Sequence, residues 1–247
     1  MSITSEEELR GLQEAGRIVG GALKELAAHV KPGVTTGRLD DLAAQILSRN
    51  GARSAPILVY DFPGSICISV NEEIVHGVPG PREICEGDLV KLDLTAEKNG
   101  FMADAAVTVL VPPASDDARR LAGCAERAFG KAVKVARAGR RISDIGRAVE
   151  SEVHRSGFSV IRGLCGHGIG RTIHEAPSVP NFFDPFDSGR LTEGLVITIE
   201  PLIAVGRGDE VMGKDGWTVK TRDHSLSAHF EHTIVVTRGE PILLTAP

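Results

Sequence analysis

At 247 residues, with a net charge of -5 and no block of Lys or Arg, the chain lacks the clustered cations of a general nucleic-acid binder. Its 42% hydrophobic and 25% charged residues are ordinary for a globular protein able to bury a substantial core. No apolar run reaches the roughly 18 residues needed to span a bilayer, and the acidic start Met1-Ser2-Ile3-Thr4-Ser5-Glu6-Glu7-Glu8 is not a cationic export signal. The expected compartment is the cytoplasm.

Four cysteines, Cys67, Cys85, Cys124 and Cys165, form no CxxC pair, so they read as small buried apolar side chains. The first element in the chain is a helix. Ser5 with Glu8 has the spacing of a capping box, Leu9, Leu12, Val19, Leu23 and Leu26 follow at roughly helical intervals, and Lys31-Pro32-Gly33 stops the run. A second helix is predicted from about Thr36 to Arg49, ended by Gly51. A strand over 89–96 and another over 101–111 come next, with Glu97-Lys98-Asn99-Gly100 as a hairpin loop. After Val111-Pro112-Pro113 the scheme restarts. Ser115-Asp116-Asp117 opens a helix to about Ala138, and Ser143 is expected to cap another that stops at Gly157.

The restart is a repeat. Gly33 to Gly51 and Gly139 to Gly157 are equal steps, with Leu39 matching Ile145 and Leu47 matching Val153. Glu86 to Asp93 matches Glu193 to Glu200, and Asp104 before Val107-Thr108-Val109 matches Glu231 before Ile234-Val235-Val236. Three matches in order point to a duplication, with halves of about 5–113 and 114–247 packed as one α+β domain.

The repeat singles out four acids. With a four-residue hairpin loop, Asp93 and Asp104 would lie directly opposite each other, Cβ atoms roughly 4.5–5.5 Å apart. Carboxylates that close repel unless one is protonated or a cation sits between them. Taken alone, each acid is more often a solvated surface residue than a ligand. Glu200, at the end of the apolar run Leu195-Val196-Ile197-Thr198-Ile199, and Glu231 occupy the matching positions in the second half and need partners of their own. His167 lies among three glycines in Gly166-His167-Gly168-Ile169-Gly170, seven residues before His174, and has no counterpart in the first half. Four carboxylates and one imidazole suit two divalent ions sharing bridging oxygens.

Ser69-Val70-Asn71-Glu72 with Val75-His76-Gly77-Val78-Pro79, Leu92-Asp93-Leu94, Ala103-Asp104, the His167 segment with His174-Glu175, Ile199-Glu200-Pro201 and His229-Phe230-Glu231-His232-Thr233, in this order, resemble the methionine aminopeptidase family. The likeness covers nearly the whole chain and is to the short bacterial type I form, because the 33 residues from His167 to Glu200 and the 31 from Glu200 to Glu231 leave no room for the helical insert of type II. It implies the pita-bread fold and a dinuclear centre of cobalt, manganese, iron or zinc. By it Asp93 grips one metal, Asp104 and Glu231 bridge, and His167 and Glu200 complete the other site. His174 would stabilise the oxyanion, Glu200 would shuttle a proton, His76 would hold the scissile amide nitrogen, and Phe62, Cys67 and Trp217 would receive the methionine side chain. The family usually has a cysteine where this chain has Pro56, a tyrosine near Val59 and a phenylalanine near Ile173, so the pocket is expected to be apolar but differently shaped. The implied substrates are N-terminal methionyl peptides and nascent chains with a small second residue. Association with the ribosome is one option, and the chain is expected to act as a monomer with no nucleic acid or membrane. Two alternatives share the fold: an X-Pro aminopeptidase or prolidase, which usually carries a further amino-terminal domain, and a non-catalytic binding module, which has typically lost its metal ligands.

Overall fold

The protein is described by a computed structural model over residues 1–246. Its first half runs α1 (Glu6–His29), α2 (Thr36–Arg49), β1 (Arg53–Ser54), α3 (Ala55–Tyr60), β2 (Cys67–Val70), β3 (Glu73–Val75), β4 (Leu89–Lys98) and β5 (Phe101–Leu110). The second runs α4 (Asp116–Val135), α5 (Ile142–Arg155), β6 (Ser159–Val160), β7 (Cys165–Gly168), β8 (Glu175–Pro180), β9 (Val196–Ile199), β10 (Leu202–Ala204), β11 (Glu210–Met212), β12 (Val219–Thr221), β13 (Ser227–His229), β14 (Glu231–Val235) and β15 (Ile242–Leu243).

The helix signals act as expected at three of the four long helices. The Ser5 hydroxyl accepts from Glu8 N–H, and three glutamates in the first turn of α1 face the positive end of its dipole. The reciprocal half of the box is displaced by one residue, because the Glu8 carboxylate takes the N–H and hydroxyl of Thr4 rather than the N–H of Ser5. Thr35 caps α2 and Ser115 caps α4, but α4 stops at Val135, short of Ala138. Ser143 does not cap α5. Arg141 is the N-cap, its N–H donating to Asp144, while Ser143 lies inside the helix with its hydroxyl buried and unpartnered. A short helix, α3, was not legible in the sequence. It starts on Pro56 at its first turn and ends on Asp61 in the left-handed conformation.

The hairpin corrects the expected register. The turn between β4 and β5 is only Asn99-Gly100, both at positive φ (52° and 81°), as a tight two-residue hairpin turn requires. Asp93 therefore opposes Ala106, and Asp104 opposes Thr95. A four-residue loop would have paired Asp93 with Asp104. The shift is two residues, and side chains alternate with a period of two, so both acids stay on the same face as diagonal neighbours.

One nine-stranded sheet runs β1-β4-β5-β14-β9-β7-β8, with β2 beside β4 and β15 beside β14. Its first-half and second-half strands meet where β5 pairs with β14, Ala106 opposite Glu231. The central ladder is tied by threonines: Thr233 accepts from the Asp104 N–H and donates to the Asp104 carbonyl, and Thr108 does the same for the backbone of His229. Helices cover one face. Val90, Leu92, Leu94, Ala103 and Ala105 pack in a core with α1 and α2, and Ile197, Ile199 and Ile234 pack in a core with α4 and α5. Asp93, Thr95, Asp104 and Ala106 alternate with those residues and project from the opposite face. That face is covered too. β4 is buried almost throughout, including Lys91, whose ammonium donates to the Asn71 carbonyl. Cys67 and Cys124 are buried as expected and Cys165 is half-buried, but Cys85 is exposed. Among the described residues no helix is long and apolar enough to cross a membrane.

Candidate functional site

Each acid singled out by the repeat sits on a central strand or at its end. Asp93 is in the middle of β4, Asp104 on β5, Glu200 immediately after β9 and Glu231 at the start of β14, while His167 comes from β7. Together they line one basin of about 100 Å³. Ligand atoms of Asp104, His167 and Glu231 lie within 4.8 Å of one another, and so do those of Asp93, His229 and Glu231. Glu200 reaches the same point, its Oε2 3.8 Å from His167 Nε2. Glu231 belongs to both groups.

The electrostatics of this basin are unfavourable without a cation. Burial, and then the neighbouring carboxylates, push Asp93 and Glu231 well above the usual carboxylate range. Burial likewise raises Asp104, and raises Glu200 to about 8. Asp104 Oδ1 and Glu231 Oε1 are buried with no hydrogen-bond partner, and an orphaned buried carboxylate oxygen is costly. Divalent cations at these oxygens resolve both problems. The donor set, oxygen-rich with imidazole, is one that manganese, iron, cobalt and zinc all accept. The residues fit the group.

His167 is prepared for such a role by its surroundings. Its Nδ1 lies 2.9 Å from the Gly168 carbonyl, to which it can only donate, so Nε2 faces Glu200 with its lone pair free. Its N–H donates to Thr198 Oγ1, which in turn donates to Glu200 Oε2. The flanking glycines serve close backbone approach: a Cβ at Gly168 would meet the Ala176 carbonyl at 2.2 Å, and one at Gly166 the Thr198 carbonyl at 2.6 Å. A side chain at either position would push β7 off its neighbours and move the imidazole.

A second cavity, of about 240 Å³, opens onto the basin through Asp93 and Asp104. Pro56, Tyr60, Phe62, Cys67, Ile173 and Trp217 form its apolar walls, with His76 and His174 at the junction. Phe62 and Trp217 meet edge to face with ring centroids 5.3 Å apart. Val59 is not among the lining residues; its neighbour Tyr60, equally exposed, is. The Tyr60 hydroxyl lies 2.6 Å from His174 Nδ1, and the His174 ring stands 4.3 Å from that of His167. His76 sits in the left-handed region at φ 56°, just past β3, and burial, then His174, lowers its basicity.

Apart from Val59, the structure gathers the residues that the sequence singled out around the basin and the adjoining cavity, and it adds two. Tyr60 is hidden in the sequence by the unread helix α3. His229 was quoted within a motif but given no task; its signal is the His-x-Glu spacing with Glu231, which in extended chain puts both side chains on one side. His229 is buried, and burial, then His76, lowers it to about 3, so it is a neutral imidazole.

The sequence model of metallopeptidase family M24 matches residues 10–238. Methionine aminopeptidase 2 of Bacillus subtilis (strain 168) is 45% identical over 247 residues, spanning 99% of each chain. The crystal structure of methionine aminopeptidase from Rickettsia prowazekii matches with a TM-score of 0.95 at 38% identity, covering 99% of this chain and 100% of that one. That of the Thermotoga maritima enzyme matches with a TM-score of 0.97 at 34% identity, covering 100% of both. The pita-bread fold is therefore shared from end to end. With sequence identity and fold running the full length of chains that bear this name, the protein belongs to metallopeptidase family M24, in its methionine aminopeptidase group.

Proposed function

We propose that the protein releases the N-terminal methionine of peptides and nascent chains whose second residue is small, with two divalent cations held by Asp93, Asp104, His167, Glu200 and Glu231. The observation that carries this reading is the junction of an acidic basin with an apolar cavity of side-chain size. Bound in that basin, the cations would acidify a shared water and polarise the substrate carbonyl. The protein's own residues do the rest. The apolar cavity takes an uncharged, flexible side chain among Phe62, Cys67, Ile173 and Trp217. The acidic basin, closed behind the cavity, accepts an unblocked amino end. The Tyr60 hydroxyl is in hydrogen-bond contact with His174 Nδ1, and in the tautomer where the hydroxyl donates, the His174 proton sits on Nε2, where it can be donated to the oxygen that gains charge. Glu200 carries the proton to the leaving amine, and His76 holds the scissile amide nitrogen. The setting is the cytoplasm, where nascent chains emerge, and the protein acts as a monomer.

Incubating the metal-reconstituted enzyme with Met-Ala-Ser and, separately, with an X-Pro peptide tests the reading. Methionine should appear from the first and no amino acid from the second. Cleavage of the X-Pro peptide alone would transfer the assignment to a proline-directed enzyme, and cleavage of neither would favour a binding module.

A further inference from the structure

His229 is 2% exposed, yet neither ring nitrogen has a hydrogen-bond partner among the described residues. Leaving a buried polar group unmade costs roughly 1–3 kcal/mol, and here two such atoms sit on one side chain. The ring is held there by its backbone. The His229 N–H donates to Thr108 Oγ1 and its carbonyl accepts from the same hydroxyl, so the residue is clamped against β5, while Leu202 opposes it across β10. Phe230 turns the other way, toward Phe129. His229 and Glu231 consequently share a side. His229 Nε2 lies 3.3 Å from Glu231 Oε2, without the alignment of a hydrogen bond, and it groups with Asp93 and Glu231 within 4.8 Å. That group is distinct from the one formed by Asp104, His167 and Glu231.

We infer that His229 is a further metal ligand, so that the Asp93 side of the centre has an imidazole of its own to match His167 on the other side. The inference rests on the metallopeptidase reading above. An orphaned nitrogen beside two carboxylates can be satisfied by a hydrogen bond or by a cation. The misaligned contact with Glu231 leaves the cation. An added imidazole makes the Asp93 side a softer site than carboxylates alone, which shifts its preference from magnesium and manganese toward iron, cobalt and zinc.

X-ray absorption on the full-length protein loaded with zinc to saturation counts the imidazoles directly and needs no variant. The expected result is about one imidazole per zinc, from His167 and His229, against about one for every two zincs if His167 alone coordinates. His229→Gln should halve the count and weaken the less tightly held zinc at least about tenfold in a chelator competition. Should the wild-type protein already show the lower count, with the variant binding both ions unchanged, His229 is not a ligand although the metal centre stands. If the wild-type protein takes up no zinc, the metallopeptidase reading itself fails and takes this inference with it.

Discussion

Glu231→Gln should abolish methionine release while making the metal-free protein more stable. Glu231 is the one carboxylate that belongs to both ligand groups, so its loss disturbs both cation positions. Metal-assisted stabilisation of the transition state is worth several kcal/mol, and about 4 kcal/mol is a thousandfold in rate. Turnover of Met-Ala-Ser should therefore fall by at least about 10³-fold. The stability effect has the opposite sign because Glu231, 1% exposed, is held among Asp104, Glu200 and Asp93. Replacing it with a neutral amide of the same shape removes the cost of keeping that carboxyl protonated in the folded state, a cost the unfolded chain does not bear. A gain of about 1 kcal/mol would raise the melting temperature by roughly 2–4 °C for a chain of this size. Adding a divalent cation should raise the melting temperature of the wild-type protein and leave that of the variant nearly unmoved. A variant that loses activity and melts lower without metal would show that Glu231 is structural.

The stability of the chelated protein should fall as pH rises from about 7.5 to about 8.5. In that interval an unfolded chain has ionised its carboxyl groups. The folded protein favours the protonated forms of Glu200, raised to about 8, and of Asp93 and Glu231, both raised well above the usual carboxylate range by burial and then by the neighbouring carboxylates. Because the folded state binds more protons, each rise in pH favours unfolding. Two effects run the other way. Histidines lowered by burial, such as His167 and His229, add stability as pH rises, but that gain is complete about one pH unit above the ordinary histidine value. Lys91, lowered to about 7, offsets one proton above that pH. Three raised carboxyl groups stand against that one lysine, so the net effect over the interval is a loss of stability. In differential scanning calorimetry this is a fall in melting temperature, and saturating divalent cation should remove it by holding the carboxylates ionised in the folded state. A flat or rising profile for the chelated protein would mean that the acids do not crowd one another as the structure has them.

What the sequence disclosed, and what it withheld, follow from the range of the forces involved. Ser5, Ser115 and the glycines at 33, 51, 139 and 157 act within a turn or two of chain, and all four glycines adopt the positive φ that ends or turns an element. The four acids were legible because the repeat placed them at matching positions, which no single strand would have revealed. The register of Asp93 and Asp104 was misread because Glu97 and Lys98 are charged and look like loop. Each is in fact held in the strand, Glu97 by Arg53 and by the Gly100 N–H, Lys98 by the carbonyls of Asn50 and Gly51. Ser143 was misread because a buried serine inside a helix carries the same letter as a cap. Helix α3 has Pro56 at its start and four exposed apolar residues, Ile57 to Tyr60, with no polar face to set a period. Tyr60 was lost with it, and His229 was passed over because its neighbours in space come from β4 and β5.

Anomalous diffraction from crystals soaked in a cobalt or manganese salt would show whether side chains from distant parts of the chain meet around a pair of cations. The expected result is two peaks in the basin, roughly 3.5–4 Å apart, both in contact with Glu231. A basin without anomalous signal, at a cation concentration that supports turnover, would contradict it.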